Sequence, residues 1–310
     1  MDGTVGRAEA ILRAACGERV RTRFELASLT TLRVGGPAAL FLEPESESDL
    51  VAVSEAVRQT GIRVAVLGKG SNVLVADEGF PGLVLRLGRG YRWSARDGER
   101  LTAGSAMPLP ALAGVALAHG LSGLEFGVAI PASLGGAVRM NAGAHGGSLA
   151  DVVESVEVFA LGDGAAHRVS ADDAGFSYRG SDLPPGAVIV GAAVRLRTGD
   201  PAEIRARMDE ARDWRRRTQP LAEPNCGSVF KNPPGDHAAR LIEEAGAKGL
   251  RLGLASISAK HANFVIASDG ATAADVLSLI REVQDLVAQR SGILLEPEVH
   301  LLGDLDLASR

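Results

Sequence analysis

Cysteine is scarce in this chain. Cys16 and Cys226 lie far apart, with no CxxC pair and no Cys/His ligand set around either. Neither a disulfide framework nor a structural zinc is therefore indicated. The six histidines show no metal-ligand spacing, and no metal is expected. No run of about 18 consecutive apolar residues occurs, so no membrane span is expected. The start lacks a basic segment leading into an unbroken apolar one; it reads as a short amphipathic helix, and the cytoplasm is the expected compartment. Charge of one sign never accumulates, the formal net charge being -5 with no block longer than a few residues. Nucleic acid needs a basic face to neutralise its phosphates, so it is not an expected partner. A small anionic ligand needs only a local cluster and stays open. The GxGxxG and GxxxxGK[ST] signatures are missing too, which disfavours an ATP-dependent transferase. Aromatics make up only 4 %, while glycine supplies 38 of the 310 residues, so small residues and bare backbone must do much of the packing and contacting.

A length of 310 residues makes two or three domains the natural expectation. Ala39–Leu42 is apolar and strand-like, residues 47–59 carry a helical stripe (Leu50, Val51, Val53, Val57), and Val64–Leu67 is a second strand. Residues 72–75 are strand-like again after only a few residues, too soon for a helical crossover, so an open Rossmann repeat is excluded. From Gly88 to Thr198 the pattern is rich in strands, with helical stretches at 109–119 and 133–143. Asp200-Pro201 suits the N-cap and first position of a helix with an Ile204, Met208, Ala211 stripe, ending in Arg212, Arg215, Arg216 and Arg217. A last long helix runs from the Thr272/Asp275 capping-box pattern to Gly292. The polar stretch at 198–201 is the expected boundary.

Four segments carry chemistry. Gly68-Lys69-Gly70-Ser71-Asn72 joins two strand candidates and could present backbone N–H groups to phosphate; alone, it is equally an ordinary connection. Gly127 to Gly147, with Ile130-Pro131-Ala132-Ser133 and Gly135-Gly136 opening a helix, is a second candidate anion cradle or else a tight packing corner. Asn225-Cys226-Gly227-Ser228-Val229-Phe230-Lys231-Asn232 places a hydroxyl beside charged and amide donors, although Gly-Ser is more often a plain turn. Phe176 to Arg179 and Leu295 to Val299 each set a charge in or beside a strand-like run, where lone charges usually face solvent.

In order along the chain, Leu29 to Gly36, the Gly68 loop, Ile130 to Gly146, Tyr178-Arg179, Gly227 to Pro233, Lys260-His261-Ala262-Asn263-Phe264 and Leu295 to Val299 form a series. The series resembles the UDP-N-acetylenolpyruvoylglucosamine reductase family over residues 20 to 303, nearest its compact second type. The resemblance implies an α+β protein: a two-lobed FAD-binding domain of the vanillyl-alcohol-oxidase (PCMH) type at 1–198, with lobes 1–87 and 88–198. A smaller α+β substrate-binding domain would follow at 199–303, whose C-terminal strand brings Glu298 to the active site, and then a tail at 304–310. It implies FAD, NADPH as hydride-donating co-substrate, a UDP-sugar substrate and a monomer. Arg33, Gly35, Gly68, Lys69, Gly70, Ser71, Asn72, Ile130, Pro131, Ser133, Gly135, Gly136, Asn141, Gly143 and His145 would hold the cofactor. Tyr178, Arg217, Lys231, Asn232 and His261 would meet the substrate; Arg179, Ser228 and Glu298 would be catalytic.

Those three roles have a physical basis. Hydride addition to an enolpyruvyl group drives charge onto C2 and into a carboxylate, which preorganised donors must stabilise. Arg179 offers a planar fork to two carboxylate oxygens. Glu298 is useful there only as a protonated donor. Ser228 would protonate C2, with Lys231 as its helper cation. The chain departs from many relatives at Ala132 (often Gly), His145 (often Tyr) and His300 (often Arg); Ala132 adds a methyl near the expected flavin, and a histidine at 300 could make carboxylate binding depend on pH. Two rivals stay open: another oxidoreductase of the same flavin fold, acting on an alcohol or sugar, and a non-catalytic flavin or nucleotide-sugar binder.

Overall fold

The computed structural model describes residues 3–307, so the last three residues of the expected tail lie outside the described residues. Seven α-helices occur among them: α1 (Gly3–Cys16), α2 (Glu47–Thr60), α3 (Leu109–Ala118), α4 (Leu134–Arg139), α5 (Pro201–Thr218), α6 (Ala238–Glu244) and α7 (Ala273–Ser291). Contacts divide the chain into two units: Met1–Thr22, Leu40–Lys69 and Gly82–Arg215 in the first; Arg23–Ala39, Gly70–Pro81 and Arg216–Arg310 in the second.

The first unit is organised on a five-stranded sheet, in the order Ala165–Ser170, Val153–Ala160, Ala187–Arg195, Arg100–Gly104 and Ser94–Asp97, antiparallel throughout. One face carries alternating apolar residues such as Val156, Val158 and Val194, which bury against α3 and α4 through Leu109, Leu112, Leu134 and Val138. Helix α5 adds Ile204, Met208 and Ala211 to that core. This is why the units do not divide at the polar stretch 198–201: the apolar stripe of α5 finds its partners upstream. The expected helix at 133–143 is shorter than its pattern. It stops at Arg139, Asn141 turns to φ 41°, and Gly143–Ala144 pairs back on Gly147–Ser148.

Also in the first unit, Val64–Val66 pairs in parallel with the end of the Phe80–Leu85 strand, and α1 packs on α2. Ser46 caps α2, and Asp49 closes the capping box. The Asp49 carboxylate accepts both Nη groups of Arg19, at 2.7 and 2.6 Å, and the N–H of Glu45 at 2.7 Å. Arg19 above all holds the Asp49 pKa down to about 2 from 3.8, while burial foremost, and then Asp49, pushes the Cys16 thiol up to about 11. A depressed carboxyl stabilises the fold above its unfolded pKa and stops doing so as pH falls through its folded one. Asp49→Asn is therefore expected to cost about 1–2 kcal/mol at pH 7. The gap between variant and parent should close between about pH 4 and pH 2 in urea titrations; a gap independent of pH would refute the assignment.

The second unit has a four-stranded antiparallel sheet, in the order Asn225–Ser228, Phe264–Ala267, Ala255–Ile257 and Arg251–Leu252. It packs with α6 and α7 around Phe230, Leu241, Ile242, Val265, Val276, Leu279, Ile280 and Val283. The start and stop of α7 follow the sequence signals: Thr272 Oγ1 accepts Asp275 N at 3.1 Å, and Gly292 takes the left-handed conformation at φ 73°. Asp77 reinforces that start by accepting the N–H groups of Ala273 and Ala274 at 2.7 and 3.0 Å. Two peptides distant in sequence complete this unit, His300–Leu302 pairing in parallel with Val73–Val75.

Candidate active site

In the first unit the 130–147 stretch folds back on itself. Ser133 caps α4, its Oγ accepting Gly136 N at 3.4 Å. Gly68 lies on that hydroxyl, since a Cβ at Gly68 would stand 2.5 Å from Ser133 Oγ. Gly135 donates to Ser105 O at 3.0 Å. Ile130 is half-buried, Pro131 and Gly136 are exposed, and Ala132 has no positive φ, so its methyl strains no backbone. Both ends of the Asn141 side chain are engaged: Nδ2 donates to Ser177 O and Oδ1 accepts Ala150 N, both at 2.8 Å.

Through Asn141, the 141–150 segment holds the turn that carries Arg179. The sequence makes 176–179 strand-like, but here it is a tight turn in which Ser177 and Gly180 exchange backbone hydrogen bonds at 3.0 and 3.2 Å. Arg179 sits at φ 60°, donates to Gly143 O at 3.2 Å and stacks 4.9 Å from the Tyr178 ring centroid. Tyr178 is exposed. His145 is exposed at φ 51° and meets Trp214 edge-on, ring centroids 5.0 Å apart. Among the described residues, five non-glycines have positive φ: Arg23, Arg33, Asn141, His145 and Arg179. Four of the five are predicted site residues. Such conformations cost on the order of 1–3 kcal/mol each and persist where surrounding contacts enforce them, most often at working sites.

In the second unit, Arg33 is exposed at φ 60°, with its N–H on Thr30 Oγ1 at 3.1 Å. Gly35 is required by both shape and dihedral: φ is +107°, and a Cβ would fall 2.4 Å from Val75 Cβ. Thr31 N donates to Gly70 O at 3.0 Å. Ser228 ends its strand after Gly227, whose φ of +74° and a register shift leave the hydroxyl half-buried and, among the described residues, without a hydrogen-bond partner. Glu298 is half-buried. It is not on the C-terminal strand, as expected from sequence, but two residues before it, where Pro297 forms an isolated bridge with Phe230. Its N–H donates to Val229 O at 2.7 Å, and its C=O accepts Asn72 Nδ2 at 3.1 Å. The structure thus ties Asn72, the Ser228 segment and the Glu298 backbone into one set of hydrogen bonds.

The remaining predicted residues fall outside that set or are differently employed. Lys231 Nζ pairs with Glu296 at 2.5 Å, so its cation is shared with a carboxylate. Asn232 Oδ1 accepts Ala238 N at 3.0 Å, at the start of α6. His261 Nδ1 accepts Asn263 N at 3.2 Å, its ring lies edge-on to Phe264, and burial above all lowers its pKa. It is therefore a neutral packing element at pH 7. Arg217 is exposed in the last turn of α5. His300 has open surface, yet the protein around its ring foremost, and then Lys231, lowers its pKa, leaving it neutral at pH 7. Sequence reasoning missed Asn263, a buried amide that bonds both peptide groups of Phe230. Its signal was its place in the Lys260–Phe264 segment of the series, as a polar residue between Ala262 and Phe264.

The donor set suits a flavin dinucleotide. Among the described residues, the backbone N–H groups of Gly68, Lys69, Gly70, Ser71 and Asn72 donate to no protein acceptor. Consecutive unengaged amides are what a pyrophosphate needs. Asn72 Oδ1 is buried without a partner, which for a group of this kind calls for a bound donor.

Comparison with known proteins agrees with this chemistry. Residues 38–170 match the FAD binding domain family, and residues 219–302 match the UDP-N-acetylenolpyruvoylglucosamine reductase C-terminal domain. A UDP-N-acetylenolpyruvoylglucosamine reductase of Anaeromyxobacter sp. (strain Fw109-5) is 49% identical over 96% of this chain and 95% of its own length. The crystal structure of UDP-N-acetylenolpyruvylglucosamine reductase from Thermus caldophilus aligns with a TM-score of 0.80 at 42% identity, over 92% of this chain and 99% of that one. A glucose dehydrogenase, Phl p 4.0202, aligns at 16% identity with a TM-score of 0.51 over 63% of this chain and 44% of its own, a likeness of fold alone. The expected α+β fold, an FAD-binding domain of the vanillyl-alcohol-oxidase type followed by a smaller C-terminal domain, is borne out. The chain is an enzyme and belongs to the UDP-N-acetylenolpyruvoylglucosamine reductase family.

Proposed function

We propose that this enzyme reduces UDP-N-acetylglucosamine enolpyruvate to UDP-N-acetylmuramate at the expense of NADPH, a step of peptidoglycan precursor synthesis. The observation that carries the reading is the hydrogen-bonded set joining Asn72, the Ser228 segment and Glu298, in a chain 49% identical to a named reductase over nearly all its length. When bound, FAD supplies hydride transfer, from NADPH and then to C3 of the enolpyruvyl group. The protein's own task is to stabilise and then quench the charge that hydride addition creates.

In this reading the Arg179 fork takes the enolpyruvyl carboxylate, and its left-handed turn is the strain accepted to aim it. Glu298 donates a hydrogen bond from a protonated carboxyl to the same developing charge. Ser228 gives its proton to C2. Its unengaged hydroxyl supports that role, because nothing in the protein has to be broken first. The alkoxide left behind is reprotonated through water. Lys231 can help only through space or after releasing Glu296. The unengaged amides at 68–72 hold the cofactor pyrophosphate. A rival oxidoreductase acting on an alcohol would have no use for both a proton donor and a carboxylate-binding arginine.

The test is optical. Purified protein is expected to be yellow, to bleach with NADPH and to regain colour on adding the UDP-enolpyruvyl sugar. A colourless protein that takes up no FAD, or a bleached one that the enol ether leaves bleached, would overturn the proposal.

A further inference from the structure

We propose that Asn263 is a positioning residue for this reaction: its side-chain amide replaces a missing strand rung at Phe230 and so fixes the backbone carrying both Ser228 and Glu298. The inference rests on the roles proposed above for those two residues. Asn263 is 4% exposed and sits between buried Ala262 and Phe264. An amide is kept in such a place only when its hydrogen bonds are made. Here they are: Oδ1 accepts Phe230 N at 2.9 Å, Nδ2 donates to Phe230 O at 2.8 Å, and the Asn263 C=O accepts Val229 N at 2.9 Å.

The need for a side chain arises upstream. The Asn225–Ser228 strand pairs with Phe264–Ala267 only at Asn225↔Ile266 and Ser228↔Phe264, with a register shift between them at Gly227. Beyond the Val229 N–H bond to Asn263 O the ladder has run out, yet Phe230 is 1% exposed and its peptide groups have no water to turn to. Asn263 supplies the two bonds that the ladder no longer can. On the other side of the segment, Glu298 N donates to Val229 O at 2.7 Å and Lys231 N to Glu296 O at 2.9 Å. Residues 229–231 are therefore gripped between Asn263 and the 296–298 arm. If Phe230 drifts, the serine two residues before it and the carboxyl hung from Val229 both lose their reference.

Asn263→Asp separates positioning from mere folding. One carboxyl oxygen still accepts from Phe230 N–H. The other repels the Phe230 carbonyl when ionised and becomes a donor again when protonated. Reoxidation of the reduced flavin by the UDP-enolpyruvyl sugar is expected to fall about 100-fold at pH 8. Burial at this site raises the new carboxyl's pKa well above its ordinary value, so the rate should recover at least about tenfold at pH 6 relative to the parent, while reduction by NADPH stays within about twofold at both pH values. A variant whose profile parallels the parent's, or which loses both half-reactions alike, would overturn the proposal. If the variant does not fold, hydrogen exchange in the parent decides. The Val229 and Phe230 amides are expected to exchange as slowly as those of Phe264–Ala267, and exchange at the rate of an exposed loop would sink the idea. A parent that the enol ether cannot reoxidise brings down the functional reading, and the grip on Phe230 is then judged by exchange alone.

Discussion

Ser228→Ala is expected to leave NADPH reduction of the flavin almost unchanged and to slow reoxidation by the UDP-enolpyruvyl sugar by about 10²–10⁴-fold, the usual contribution of a positioned general acid. The hydroxyl is half-buried and, among the described residues, bonded to nothing, so its removal should change stability by no more than about 0.5 kcal/mol. Stopped-flow absorbance of the two half-reactions separates the effects, because only the second needs a proton at C2. Equal loss in both would assign Ser228 to folding or to cofactor binding, and no loss in either would remove it from the chemistry. Asn225–Ser228 gives the reason for confining the effect. The strand is anchored by Asn225 N on Thr31 O at 3.2 Å and by Val229 N on Asn263 O, none of which involves the serine side chain.

What could be read in advance, and what could not, follows the range of the interactions. The Thr272/Asp275 capping box, the Gly292 stop and the Asp200-Pro201 start are local chemistry, and α7 begins and ends, and α5 begins, where those signals lie. The two site segments read as strands were misjudged because their conformations are imposed from afar. Asn141 holds the Arg179 turn from 36 residues upstream, and Asn72 holds the Glu298 carbonyl from 226 residues away. An apolar run beside a charge carries no mark of such a partner. The same holds for the parallel pairing of Val73–Val75 with His300–Leu302, which draws residues 70–81 into the second unit; parallel strands need no adjacent turn signal. The glycines were legible as special, but partly for another reason. Gly35 and Gly68 have protein atoms where a Cβ would stand, so their bareness serves close packing.

Glu298 offers the sharper test of the chemistry, because two replacements split hydrogen-bond donation from bulk. If its carboxyl acts as a protonated donor, Glu298→Gln keeps a neutral N–H donor of similar shape, whereas Glu298→Ala removes the donor entirely. Loss of one donor aimed at developing negative charge costs about 10²–10³-fold in turnover, and that is the expected deficit of the alanine variant. The glutamine variant should retain activity within about tenfold of the parent. The sign of the pH response is fixed by the same argument. An acid that works protonated supports turnover at low pH and ceases to as pH rises through its titration, so the parent should show an alkaline limb that the glutamine variant lacks. The backbone need not move in either case, since the arm is held by its own peptide groups: N–H on Val229, C=O under Asn72. A glutamine variant as inactive as the alanine one, or one that keeps the alkaline limb, would mean that the carboxylate form does the work. The charge logic would then reverse, since an anion beside the enolpyruvyl carboxylate would have to act as a base and could not serve as a donor.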